Sequence, residues 1–532
     1  MPHYNRLRKT WNSHSLAIDT SPMGAGKTPV ATSLRRDSGF AHCIIVGPVS
    51  SLGKWEQFFK IFGVPCDTLF SYTTMRNCKP CHGYITKPEG ATANTFEVTA
   101  KFRTMAEAGL LLIGDESQEL KNAKSQQHNA FRAMARYITI NGGRSRTLLI
   151  SGTPYDKEEH VISMLQMVGI IRQHQLYVYH QAQGRLELRG ARDLVNYCMS
   201  ADTKATSAFL EANPFTHRNV SHNCYLLYLA VLADHLTSAM PKPPVSTSLT
   251  CRNGYYCMSP SGSKALKQGI KALHGAVRYN GNGEVDRKET NWGAITSATR
   301  AIELAKVEIF LRIGKAWLNA NPNNHLIIAM FFNGPIDLIA KGLEEHKPLI
   351  VTGKSRGKKR DDLIDLFQQP NATYRVIVGN ISVLQVNIDL DDKIGTFPRL
   401  SLAPPTYHII KMQQFSHRIQ RADTKSAAEV VFVNGTCGAE ETSIYQSLLR
   451  KSTVLKATLK SQVSEGMIFP ADYPRFTEPT IVIEDTGPVV DVPLDEEDAA
   501  LLAAAEEEEL EVPPPSGGEV FDLAAAMARL SS

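Results

Sequence analysis

The densest chemistry in the chain is the run Ser21-Pro22-Met23-Gly24-Ala25-Gly26-Lys27-Thr28. Gly24 and Gly26, with Ala25 between them, let backbone N–H groups close around phosphate oxygens. Lys27 is long enough to reach β and γ phosphates, and the Thr28 hydroxyl can ligate Mg²⁺. A helix starting at this point would aim its positive end at the same anion. Ser21 stands where the general phosphate-loop pattern has its first Gly. These residue types predict a nucleoside triphosphate bound with Mg²⁺.

Two further groups suit the same chemistry. Asp115 and Glu116 end the apolar run Leu110–Gly114. Adjacent carboxylates at a buried strand end are costly unless they serve a metal or a proton transfer. Asp115 is expected to hold Mg²⁺ and Glu116 to orient and polarise the attacking water. In QFSHRIQR (414–421), helical spacing would put Gln414, Arg418 and Arg421 on one face. Two guanidinium groups there could neutralise a γ-phosphate as arginine fingers.

The elements that must carry these groups form two α/β patterns. HCIIVGP (42–48), AGLLLIGDE (108–116) and RTLLISGTP (146–154) are continuous apolar runs ending in small or polar residues. That is the pattern of buried parallel strands, whose C-terminal ends hold ligands. Residues 123–138 are polar and Ala-rich, as a crossover helix would be. A second pattern begins near 300. It has a helix over 301–320, a strand over 326–332, a helix over 335–345 and a strand over 348–353. A helix over 360–369 follows, then strands over 374–380 and 428–435. The division expected is a lobe over 1–165, a mostly helical insertion over 166–300, a lobe over 301–440, an extension over 441–483 and a tail over 484–532. Two such lobes would stack with a cleft between them.

Charge divides along the same lines. The chain has 532 residues and a formal net charge of +5, but residues 481–532 hold 14 acidic groups and one basic group, Arg529. The other 480 residues hold 57 basic and 39 acidic side chains. A basic body admits a polyanion as partner. The acidic, Pro-rich stretch 495–518 has the composition of a disordered segment. Val520, Leu523, Ala524, Met527 and Leu530 would share one face of a short helix over 519–530, which could bind a protein partner. The tail is expected to solubilise the basic body; the alternative is that it mimics nucleic acid, blocking the basic cleft or binding basic partners. No apolar run is long enough to span a membrane. No apolar segment follows the basic start as in a secretory signal. Nine Cys in a chain of this length suggest a reducing intracellular compartment, nucleus or cytoplasm, rather than a disulfide framework.

In this order, the motifs resemble those of the superfamily 2 helicase-like ATPases, in particular the Swi/Snf-type DNA translocase branch. GDESQELKNAKSQQHNAF (114–131) resembles its DExH box and VGPVSSLGKWEQFF (46–59) its second motif. SGTP (151–154) resembles its third motif. VTGKSRGKKRDDLIDLFQ (351–368) and QFSHRIQRADTKSAAEVVFV (414–433) resemble second-lobe motifs. The resemblance implies an α/β fold of two RecA-like parallel-sheet lobes and a nucleic-acid-dependent ATPase that translocates on duplex DNA rather than RNA. By its motifs, Asn5 and Gln414 would join the nucleotide site, Asn5 in place of an adenine-reading Gln. Ser50, Ser51, Lys54, Lys354, Ser355 and Arg356 would contact the nucleic-acid backbone. Gln118, Ser151 and Thr153 would couple hydrolysis to movement. Gln118 replaces the family's usual His, and Asn387 a usual Gly. A strand-separating RNA or DNA helicase is an alternative, as is an ATP-switched scaffold with slow turnover.

Cys78-Lys79-Pro80-Cys81-His82 matches the c-type haem attachment pattern, but nothing else in the chain suits an exported protein. Zinc held by Cys78 and Cys81 with Cys251 and Cys257 is disfavoured by the wide separation of the pairs and the five-residue gap in the second.

Overall fold

The computed structural model describes residues 2–490 except 79–82, 91, 93, 243–244, 246, 279–288, 356, 371–372, 386–387, 422, 437–441, 460–467 and 486. The chain divides into two compact units. The first holds residues up to 242 and takes back the chain from 453; the second holds 243 to 452 and takes it back from 468.

The first unit is built on a six-stranded sheet. Its strands in chain order are β1 (Leu16–Asp19), β2 (His42–Gly47), β3 (Thr68–Ser71), β4 (Leu110–Asp115), β5 (Arg146–Ile150) and β6 (Thr237–Ser238). All pair in parallel, in the order β6-β1-β5-β4-β2-β3. A parallel sheet needs crossover connections, and these cover both of its faces. Alternation along the strands divides the core accordingly. Leu16, Ile18, Ile44, Val46, Leu110, Leu112 and Leu149 pack on one side. Ala17, Cys43, Ile45, Leu111, Ile113, Leu148 and Ile150 pack on the other.

The second unit has seven strands: β7 (Leu249–Tyr256), β8 (His325–Met330), β9 (Leu349–Val351), β10 (Val376–Asn380), β11 (Arg399–Ala403), β12 (Ala428–Gly435) and β13 (Arg475–Thr477). Again every pairing is parallel, in the order β9-β10-β8-β11-β12-β7-β13. Its core gathers Ile309, Phe310, Leu326, Ile328, Val376, Val378, Leu400, Val431 and Val433. The fold is therefore α/β with two RecA-like parallel sheets, as the sequence led one to expect.

The expected insertion is not a separate body. Residues up to 242 close the first sheet, through Ile18 paired with Thr237 and Asp19 with Ser238. Leu249–Tyr256 pairs along its whole length with Ala428–Gly435 inside the second sheet. The expected helix over 301–320 starts earlier, at Trp292, where Asn291 caps it by accepting from the Ala294 N–H. The extension over 441–483 supplies a helix, Thr442–Thr458, and the edge strand β13. No helix among the described residues is long and apolar enough to cross a membrane. Among the expected features, Cys81, His82, Arg356, Asn387 and the tail from 491 on lie outside the described residues.

Candidate nucleotide site

The phosphate loop joins β1 to the helix Lys27–Asp37. Gly24 and Gly26 have φ of 77° and 89°, a left-handed geometry that a side chain resists. The Lys27 ammonium folds back and donates to the carbonyls of Ser21 and Pro22, at 3.0 and 3.1 Å. Ser21 explains its own departure from the general pattern. It is not among the left-handed residues, so no Gly is required. Its N–H and hydroxyl both donate to Asp19 Oδ1, at 2.9 and 2.5 Å, and its hydroxyl accepts from the Met240 N–H. Asp19 is thus a loop-shaping residue that the motif alone does not reveal; the acidic end of the strand Leu-Ala-Ile-Asp was the available signal.

The loop's other wall is the turn after β5. A Cβ on Gly152 would lie 3.1 Å from the Ser21 carbonyl and 3.5 Å from Lys27 Nζ. Ser151 and Thr153 beside it are fully buried. β5 separates β1 from β4, so phosphate loop and carboxylates sit on non-adjacent strands.

Asp115 ends β4 and is 8% exposed. Its Oδ2 accepts from Trp55 Nε1 at 2.8 Å, and the Tyr72 hydroxyl donates to its carbonyl. Burial, then the charge of Glu116, raises its pKa to about 6, against the hydrogen bonds from Trp55 and Ser51 and the pull of Lys27. Glu116 has φ of 51°, rare for a residue with a side chain. Its N–H donates to Asp115 Oδ1. From its carboxylate a chain of hydrogen bonds runs on: Gln118 Nε2 donates to Glu116 Oε2 (2.9 Å), Ser151 Oγ to Gln118 Oε1 (2.6 Å) and Thr153 N–H to Ser151 Oγ (3.0 Å). Gln118 can do this because its amide both donates and accepts.

The buried Asp115 carboxylate beside a second acid offers oxygen donors of the kind that suit Mg²⁺. Thr28 follows Lys27 in the first turn of its helix and is half-buried. Among the described residues no three His, Cys, Asp or Glu side chains form a metal cage.

Other expected site residues are placed differently. Ser51 is buried, donating to Pro48 O and bonded to Asp115, so it shapes the carboxylate site instead of facing a ligand outside. Ser50 is half-buried and Lys54 exposed on the same helix, Val49–Phe62. In the second unit, Ser355 is buried and braces its own turn through Ile350 O and Thr352, while Lys354 is exposed. Asn5 is exposed on the helix Pro2–Ser13. Its neighbours anchor that helix: His3 Nε2 lies 3.1 Å from Asp19 Oδ2, and Arg6 donates to Ser238 Oγ and Ala239 O.

The expectation of Gln414, Arg418 and Arg421 on one helical face fails. The helix Ile409–Ser416 ends before either arginine. The following turn is held by other bonds: Leu390 N–H donates to the Arg418 carbonyl, Gln420 to the Thr247 carbonyl and Arg421 N–H to Thr424 Oγ1. Gln414 and Arg418 are buried, and Arg421 pairs with Asp389 at 3.1 Å.

Trp55 was missed as a site residue. It is completely buried and is Asp115's side-chain donor, so Trp55→Phe removes a charge-assisted hydrogen bond and leaves a void. The expected loss of stability is about 2–3 kcal/mol, read as a lower urea midpoint; an unchanged midpoint would show that the bond contributes nothing.

No family model and no curated protein matches the chain. Among solved structures it is similar to a Sulfolobus solfataricus SWI2/SNF2 ATPase core in complex with dsDNA, with 12% identity over 86% of this chain and 94% of that one, at a TM-score of 0.29. It is also similar to the Pyrococcus furiosus Hef helicase domain, with 12% identity over 84% and 98%, at a TM-score of 0.36. Likenesses of that size carry no argument about function.

Proposed function

We propose that the chain is an ATP-dependent nucleic-acid motor, and more finely a Swi/Snf-type translocase on duplex DNA serving chromatin remodelling, repair, replication or transcription. The observation that carries the reading is the chain of hydrogen bonds Glu116–Gln118–Ser151–Thr153 beside a glycine-built phosphate loop. In this reading Lys27 leaves the Ser21 and Pro22 carbonyls for the β and γ phosphates of ATP, and backbone N–H groups of residues 24–28 take the remaining oxygens. Mg²⁺, held by Thr28 and Asp115, would neutralise phosphate charge. Glu116 accepts a proton from the water whose oxygen attacks the γ-phosphorus; the bond to the β-phosphate oxygen breaks, giving ADP and phosphate. Gln118 passes the state of Glu116 to the Ser151–Thr153 turn. Ser50, Lys54 and Lys354 are the proposed backbone contacts that remain exposed or half-exposed.

The basic body favours a polyanionic track, and the sequence motifs favour duplex DNA. ATPase rate against a panel of polynucleotides tests this. Duplex DNA at low salt should stimulate at least about tenfold, and the stimulation should fall steeply as salt rises. A smaller response would remove the translocase reading. A larger response to RNA would move it to an RNA helicase.

A further inference from the structure

A cavity of about 250 Å³ lies in the first unit, and none of its lining residues belongs to the nucleotide site. Its wall includes the start of the helix Gln126–Asn141, which follows the turn carrying Gln118. Asn94, His128, Asn129, Arg132 and Gln166 line it, with Lys124 exposed at the rim.

Hydrogen bonding fixes what these groups can offer. Asn94 Nδ2 donates to the Lys124 carbonyl, Asn129 Nδ2 to the Ala123 and Ser125 carbonyls, and Gln166 Nε2 to the His174 carbonyl. Asn129 and Gln166 have committed both N–H groups of their amides, Gln166 with a second, longer bond to the Gln173 carbonyl, so their oxygens remain for a ligand, while Asn94 keeps one N–H beside its oxygen. His128 is 2% exposed, and its Nδ1 lies 2.7 Å from the Leu120 carbonyl. A carbonyl only accepts, so Nδ1 carries the proton. Burial holds the ring neutral, with a pKa of about 4, and Nε2 is a bare acceptor.

One turn further on stands Arg132, half-buried, with no hydrogen bond or acidic partner among the described residues. Arg136 follows after another turn and burial plus that like charge depress the Arg132 pKa. A half-buried guanidinium beside a second one is uncompensated charge, which an anion would relieve. The Asn129 and Gln166 oxygens and His128 Nε2 can only accept, so a ligand that satisfies them brings hydroxyl donors next to its anion. A phosphate joined to a ribose has both features, and a cavity with room for about eight waters admits one such unit. We propose that this cavity binds a phosphorylated ribose, with its phosphate on Arg132 and Lys124 and its hydroxyls on the amide oxygens and His128. The proposal does not rest on the motor reading.

The test uses full-length Lys27→Ala protein, so that binding at the phosphate loop is weakened, titrated calorimetrically with ribose 5-phosphate, 2-deoxyribose 5-phosphate and inorganic phosphate. Saturable binding of ribose 5-phosphate is expected, with the deoxy sugar and phosphate each weaker. Adding Arg132→Met should weaken it by at least about tenfold. Lys124→Gln, at an exposed position where folding is safe, should weaken it by a smaller factor. Absence of saturable binding, or binding indifferent to both substitutions, overturns the proposal. A short RNA titrated into the same proteins separates the sources. RNA affinity that falls with Arg132→Met assigns the ribose to a nucleic-acid strand. Unchanged RNA affinity with lost ribose 5-phosphate binding assigns it to a free nucleotide or sugar phosphate.

Discussion

Glu116→Gln should lower ATP turnover by about 10²–10⁴-fold while leaving nucleotide affinity nearly unchanged. The substitution is nearly isosteric, and the hydrogen bonds show why it should be silent structurally. Glu116 Oε2 only accepts, from Gln118 Nε2, and a glutamine oxygen can accept the same bond. The Asp115 Oδ1 contact uses the Glu116 backbone N–H, which any residue supplies. The left-handed backbone at φ of 51° is as costly for Gln as for Glu, so folding stability should stay within about 0.5 kcal/mol. What disappears is the capacity to take a proton from water. Single-turnover hydrolysis with labelled ATP, alongside equilibrium nucleotide binding, separates the two quantities. A variant that hydrolyses within about tenfold of the parent would exclude Glu116 as the base. A variant that loses binding as well would point to a structural role for the carboxylate. Gln118→Ala supplies the contrast, because it cuts the link to Ser151 but leaves the carboxylate in place.

How much of this was legible in the sequence depends on the length of the signal. The long apolar runs at 42–48, 108–116, 146–154 and 428–435 are strands in the structure because a parallel strand covered on both faces must be apolar throughout. The strands that escaped notice carry weaker signals. Thr237–Ser238 has two residues and is defined by its pairing with Ile18 and Asp19, a contact more than 200 residues away. Leu249–Tyr256 contains Arg252, Asn253 and Gly254; Asn253 is buried because its side chain donates to the Pro470 and Tyr473 carbonyls. Those partners come from the C-terminal extension, which no local pattern ties to residue 253. The site divides in the same way. Residues fixed by a short contiguous motif, Gly24, Gly26, Lys27, Asp115 and Glu116, could be read directly. Asp19, Trp55 and Ser51 act on that motif from other elements, and only the fold brings them there. The arginine pair was misplaced because helical spacing was extended past Ser416, where tertiary bonds to Leu390 and Thr247 and a local turn closed by Thr424 outweigh helix continuation.

Lys27→Ala should abolish measurable turnover and weaken ATP binding far more than ADP binding, since the ammonium is the charge that can reach a γ-phosphate. In the structure that ammonium donates to the Ser21 and Pro22 carbonyls. In the variant the carbonyls, both of buried residues, lose that donor, so the cost to folding is about 1–3 kcal/mol. The loop's shape also rests on bonds that do not involve Lys27. Ser21 remains tied to Asp19 and Met240, Ala25 N–H still donates to the Pro22 carbonyl, and Gly24 and Gly26 keep their left-handed turns. A folded protein with an intact but uncharged phosphate cradle is the expected product. Thermal melting should show it within a few degrees of the parent. Adding ATP should raise the melting temperature of the parent but not of the variant. If the variant instead kept its turnover, the loop at 21–28 would not be the nucleotide site, whatever its sequence pattern. If it unfolded, Lys27 would be a structural clasp. Lys27→Arg distinguishes that case, because Arg can still donate to both carbonyls while its planar fork fits the phosphate cradle poorly.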